Sequence, residues 1–180
     1  FNDNKRTYRL SSGIRYMNDN EYVSFSFYPE FKFYNLKISG NFDFYINSDK
    51  ELFNNWKTGW DILEKINLSF VHKRDYNRLN IKLGHISKIN FGHGYLVNNL
   101  SNNFDYPKQQ NFGLQINYKL DENFMNFKFI IPSIEDFTIN NSGIFGMHSS
   151  LFISHRFPLT LGLGIMVDLN QFSQANNIYN

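Results

Sequence analysis

Apolar and polar residues alternate along most of this chain with a period of two. In "RTYRLSSGIRYM" (6–17), Tyr8, Leu10, Ser12, Ile14 and Tyr16 share one parity. Thr7, Arg9, Ser11, Gly13 and Arg15 share the other. Successive side chains of an extended chain point to opposite faces, so the pattern predicts a strand with one apolar and one polar face. The same alternation runs through "YVSFSFYPEFKF" (22–33), "LKISGNFDFYI" (36–46), "KINLSFV" (65–71) and "LNIKLG" (79–84). It returns in "NFGLQINYKL" (111–120), "FMNFKFII" (124–131), "IFGMHSSLFIS" (144–154) and "LTLGLGIMVDL" (159–169). About nine strands are predicted, many near the roughly 9–11 residues with which a tilted strand crosses a bilayer.

The connections have a rhythm of their own. Short links fall at "FYN" (33–35), "KRDYN" (73–77), "DEN" (121–123) and "HRFP" (155–158), and long ones at 47–64, 87–109 and 132–142. From the second strand onward short and long alternate, as in an up-and-down outer-membrane barrel with tight turns at one end and loops at the other. A Greek-key sandwich has no reason to keep that order. The first link, "NDNE" (18–21), breaks it by being short on the long-loop side.

The two faces differ in chemistry. From Tyr8 onward no charge falls on the apolar parity within these stretches, where it costs a barrel a few kcal/mol at mid-bilayer. Gly13, Gly84, Gly113, Gly146, Gly162 and Gly164 fall on the polar parity. Small residues there let strands curve or let another segment pack closely. The expected architecture is therefore all-β: an antiparallel up-and-down transmembrane β-barrel, with about nine or ten strands visible. Residues 1–180 read as one barrel domain. The polar tail "QFSQANNIYN" reads as loop rather than a closing strand, so the sequence is expected to be part of a larger barrel.

Composition narrows the alternatives. Of 180 residues, 18% are aromatic, with 20 Phe and 11 Tyr, which favours strands. The net charge of +2 is too small to point to nucleic acid, and the absence of Cys excludes disulfides and thiolate metal sites. A mean hydropathy of −0.44 fits no membrane helix, but a barrel turns only alternate residues to lipid.

Two segments leave the alternation. "KELFNNWKTGWDILEKI" (50–66) carries Leu52, Phe53, Trp56, Trp60, Ile62 and Leu63; Asp61 is placed to cap a short helical turn through Ile62 to Lys65. Its aromatics suit a membrane interface, a self-packed loop or a sugar platform. "INFGHGYLVNNLSNN" (89–103) sets His93 between Gly92 and Gly94 and follows it with amides, giving His93, Asn98, Asn99, Ser101 and Asn102 as loop candidates. Its Gly-x-Gly has no strand–loop–helix setting for phosphate. His72, His85, His148 and His155 are scattered without zinc spacing, so His93 reads as a hydrogen-bonded loop histidine. Asn67, Asn99 and Asn140 match the glycosylation acceptor pattern, which recurs by chance in so Asn-rich a chain.

The stretch "LNIKLGHISKINFGHGYLVNNLSNN" resembles one found in a family of uncharacterised bacterial outer-membrane β-barrel proteins, with Leu79 to Gly84 as strand and a GHGxxxNxxSN-type loop from Phe91 to Asn103. "WDILEKI" resembles the segment before the paired strands of that group, and "FPLTLGLGIMVDLNQ" a late strand with its outer loop. Phe91 stands where an aliphatic residue is usual, and Leu100 where an aromatic is usual. The resemblance implies a barrel in the bacterial outer membrane and carries no activity with it.

If the apolar parity meets lipid, the other parity lines a lumen. Its residues are Arg9, Arg15, Lys32, Lys37, Lys65, Lys82, Lys119 and Lys128 against Glu30, Asp43 and Asp168. A basic lining attracts anions. The expected function is a passive pore or transport-associated barrel with a mildly basic lumen, whose partners are the lipid bilayer and small anionic solutes. The alternative is a soluble aromatic-rich β-sandwich or barrel binding carbohydrate or protein. No nucleophile motif or spaced carboxylate pair appears, so no enzyme, cofactor or metal is expected.

Overall fold

The computed structural model describes residues 4–17, 20–47, 52–53, 59–91, 97–102, 111–121, 124–138, 142–154 and 159–169. Two compact units divide the chain, Phe1–Leu68 and Ser69–Asn180. Both are antiparallel β structure, as the alternation predicts.

In the first unit, β1 (Lys5–Met17) pairs along its whole length with β2 (Asn20–Phe33), from Lys5 opposite Lys32 to Met17 opposite Asn20. The other edge of β2 carries β3 (Leu36–Gly40) and then β4 (Phe42–Asn47). The sequence reads these two as one strand, and one register does run through both: Phe33 faces Leu36 and Tyr22 faces Asn47. The ladder stops where Tyr28 and Pro29 would face Asn41 and Gly40. Pro29 has no N–H to give, and the Asn41 N–H donates instead to the Lys65 carbonyl at 2.8 Å. β5 (Leu52–Phe53) pairs with β4. The helix α1 (Gly59–Leu63) begins two residues before Asp61, so Asp61 sits inside its first turn rather than capping it. Trp56 and the side chain of Trp60 lie outside the described residues.

β6 (Ile66–Arg74) starts in the first unit and ends in the second. In the second unit it neighbours β7 (Asn77–Gly84), which pairs with β10 (Gly113–Leu120), then β11 (Met125–Ile131), β12 (Ile144–Ser154) and β13 (Leu159–Asp168). A short helix, α2 (Ile134–Thr138), lies in the third long link. Tyr34, Asp75 and Asp121 adopt φ of 47°, 52° and 48°, the left-handed conformation that tight hairpin turns use. Among the described residues no strand pairing closes a sheet into a barrel.

The second long link is not plain loop. β8 (Ile89–Phe91) and β9 (Val97–Leu100) form their own two-stranded sheet rather than adding a strand to the main one.

At several positions burial runs opposite to polarity. Leu10, Phe25 and Leu163, on the apolar parity, are 78%, 49% and 74% exposed, whereas Ser24 and His148 on the polar parity are 5% and 8% exposed. Among the described residues twenty-three large apolar side chains are exposed, and the buried ones are Tyr45, Ile86, Ile89, Phe91 and Ile130. The strands also run further than the alternating stretches. Glu21 and Arg74 therefore join Arg6 on the apolar parity, each within two residues of a strand end.

Candidate functional site

In the second unit the β8–β9 hairpin lies over the polar-parity face. Ile86, Ile89 and Phe91 cluster with Ile130, and Val97, Leu100 and Met166 pack around them. The Phe91 ring stacks on the His148 imidazole at 5.6 Å between centroids. Glycines make the approach possible: a Cβ on Gly146 would stand 2.7 Å from Phe91, and one on Gly113 would stand 2.6 Å from both the Ile86 side chain and the Pro132 carbonyl.

Asn102 ties the far end of this segment down. Its Oδ1 accepts from the Ile86 N–H at 2.8 Å. Its Nδ2 donates toward the carbonyls of Gly84, Asn111 and Pro132 at 3.0, 2.8 and 3.0 Å, and its own N–H reaches the Ile86 carbonyl at 3.0 Å. One buried amide thus joins both ends of the inserted segment to the turns that flank it. At the segment's start, partial burial lowers the His85 pKa from its ordinary value, opposed by a hydrogen bond with Asn102.

Beside the hairpin a hollow of about 280 Å³ is lined by Arg78, Lys88, Lys119 and Lys128. Amides of Asn80, Asn90, Gln115, Asn117 and Asn126 complete its polar wall. Pairing register places these groups. Arg78 and Asn126 both face Lys119, and Asn80 and Lys128 both face Asn117. Lys128 Nζ donates to the Asn90 carbonyl at 3.3 Å.

Of the candidates named from sequence, the hollow gathers Lys119 and Lys128. Lys82 sits one row away, opposite Gln115, and Asp168 ends β13 opposite Ile144, both exposed. Asn98 and Asn99 are exposed on the hairpin, Ser101 is half-buried, and Asn102 proves to be the structural tie; His93 lies outside the described residues. Arg78, Lys88 and the amides are not among those candidates. Arg78 and Asn80 share the parity of Lys82, which is the signal that finds them.

The first unit holds the others. Glu30 and Lys37 form an ion pair at 2.7 Å. The Tyr28 hydroxyl donates to Asp43 at 2.9 Å, and the Arg15 guanidinium lies 5.7 Å over the Tyr45 ring. Lys65 is buried in the turn before β6, whereas Arg9 and Lys32 are exposed. Among the described residues no three His, Asp or Glu side chains cluster to hold a metal ion, and no helix is long and apolar enough to cross a membrane, which says nothing of strands.

Site and fold together define an antiparallel β protein with many exposed apolar side chains and a hairpin laid over the polar-parity face of its second unit. No protein-family description, curated protein or solved structure matches the chain.

Proposed function

We propose that this chain is a bacterial outer-membrane β-barrel, a passive pore or transport-associated barrel with a mildly basic lumen. One observation carries the reading: the side chains that a soluble fold would bury, led by Leu10 and Leu163, are the exposed ones, and Ser24, Ser26, Asp43 and His148 are covered instead. Fully burying a Leu or Phe contributes about 1.5–3 kcal/mol. A water-soluble chain gains nothing from leaving such ridges bare, whereas lipid makes them favourable. The charges on the apolar parity, Arg6, Glu21 and Arg74, sit at strand ends, where their cost in a bilayer falls toward zero.

On this reading the β8–β9 hairpin folds into the lumen and narrows it. A barrel has no open edge. With β3 and β4 counted as one and the two-residue β5 left out, the described eleven-stranded sheet reduces to nine strands, and barrels of this kind carry an even number, so the reading calls for a further strand.

The test is lipid contact at chosen positions. In a background with Trp56→Phe and Trp60→Phe, Trp placed by Leu163→Trp is expected to emit in the blue and to be quenched by brominated lipid, and Trp placed by Lys82→Trp to escape quenching. A chain that stays soluble without detergent, with water-like emission at both positions, would refute the reading and select the soluble binding module. In planar bilayers the basic lining predicts anion preference; cation preference would remove the lumen assignment.

A further inference from the structure

The polar face of the second unit carries a feature that general basicity does not require. Arg78, Lys88, Lys119 and Lys128 converge on one hollow of about 280 Å³. Arg78 and Lys119 are direct cross-strand partners. Like charges facing each other across a ladder destabilise it. Two ion pairs, Lys37 with Glu30 and Arg74 with Asp75, involve none of the four. No carboxylate among the described residues lines the hollow.

Two further observations single out this hollow. Among the described residues, the side-chain oxygens of Asn80, Asn117 and Asn126, all in the lining, are buried and have no hydrogen-bond partner. Buried polar atoms ordinarily have one, and its absence marks a place for an unseen water or ligand. In addition, Lys88 is held at φ 58°, the left-handed region that a long side chain rarely adopts. That conformation occurs at the mouth of the hairpin, where Lys88 joins the three strand-borne cations; strain of this kind clusters at ligand clamps.

We propose that this hollow is a binding site for a small polyvalent oxyanion bearing hydroxyl groups, the chemistry of a sugar phosphate. The four cations neutralise an anion of charge two or more. Arg78 offers a planar fork suited to phosphate or carboxylate oxygens. Rotated about their Cβ–Cγ bonds, the Asn80, Asn117 and Asn126 amides turn these oxygens into the hollow, where they accept from hydroxyl groups, which a bare inorganic ion lacks. The volume is just below the usual range for drug-sized ligands, so the solute is small. The site deepens the anion preference proposed for the lumen but does not depend on lipid contact at the opposite face, and binding is measured apart from insertion.

The probes are glucose 6-phosphate, inorganic pyrophosphate and glucose, titrated calorimetrically into the folded full chain. Glucose 6-phosphate is expected to bind more tightly than pyrophosphate, with glucose showing no heat. Arg78→Gln and Lys88→Gln should each weaken it roughly tenfold, one charge-assisted contact's worth. Arg6→Gln, which removes an exposed charge on the apolar parity of the first unit, should leave it unchanged, and circular dichroism checks that all three variants are folded. Equal weakening by Arg6→Gln would reduce the effect to net charge and overturn the site. So would absence of glucose 6-phosphate binding at millimolar concentration in low salt. Pyrophosphate binding as tightly as the sugar phosphate would overturn the hydroxyl part of the proposal.

Discussion

Removing the Asn102 amide should release the inserted segment. Asn102→Ala deletes the bond with His85 and four side-chain hydrogen bonds to the backbone, one accepted from the Ile86 N–H and three donated toward the carbonyls of Gly84, Asn111 and Pro132. Each such bond is worth about 1 kcal/mol net, and leaving a buried N–H without a partner costs about 1–3 kcal/mol. Ile86 is 1% exposed, so water does not replace the lost acceptor. Two amide hydrogens serve three carbonyls, so the terms overlap, and the expected loss is about 3 kcal/mol. That amounts to amide exchange roughly 10²-fold faster across residues 84–90. Hydrogen-exchange mass spectrometry of the folded protein reads this directly, and Asn98→Ala, an exposed change on the same hairpin, should leave the rate within threefold. Asn102→Asp sharpens the test. It keeps an acceptor for Ile86 but turns an oxygen toward three carbonyls, so the fold favours the protonated acid. The folded-state pKa of that carboxyl is then raised. Its stability is present at low pH and lost as pH rises, so the variant should exchange fastest above neutrality. Unchanged protection in Asn102→Ala would refute the tie.

Three further outcomes follow from the same geometry. Gly113→Ala places a Cβ 2.6 Å from the Pro132 carbonyl oxygen, a backbone atom that cannot swing away, and should lower the chemical-denaturation midpoint by an amount equivalent to about 1–3 kcal/mol. Leu163→Arg, in the middle of β13, should cost about 2–4 kcal/mol in folding into vesicles if that ridge meets lipid, against less than about 0.5 kcal/mol for an ordinary exposed site, as urea titrations with vesicles would distinguish. Because burial lowers the His85 pKa, the unfolded chain takes up its proton first, so stability should fall as pH drops through the ordinary histidine range, and His85→Gln should flatten that slope in thermal melts.

Strand positions were legible because period-two alternation is a local property. Each main-sheet strand except β5 lies on one of the alternating stretches, and the tight turns at Tyr34 and Asp75 fall inside the short links. The break between β3 and β4 was not read, although Pro29 signals it: its effect appears only once Gly40 is known to lie opposite. Polar-parity glycines suggested close packing by another segment, and Gly113 and Gly146 do have one against them. Which segment packs there is a long-range fact, set by Asn102 contacts reaching 30 residues along the chain. The charged hollow is half visible, through Lys119 and Lys128; Arg78 shares the parity of Lys82 but meets the others through pairing register, and Lys88 joins by the hairpin's path.

Two residues that break the alternation explain why the hairpin docks where it does. Along β11, Asn126 and Lys128 hold the polar parity, yet Ile130 follows them on that face and is fully buried. Along β13, Met166 sits on the parity of Gly162 and Gly164. Ile130 faces Gly146 on β12, and Gly146 faces Met166 on β13, so the exceptions flank a glycine in one row across three strands. Phe91 fills the space that glycine leaves. A face that is otherwise polar thus holds one apolar socket, and the inserted segment brings the matching side chains, Ile86, Ile89 and Phe91. The socket sits one row from Lys128, so docking the hairpin also sets Lys88 and Asn90 beside the strand-borne cations. The same contact that gives the second unit its small dry core therefore builds one wall of the charged hollow, and changes that loosen the first should open the second.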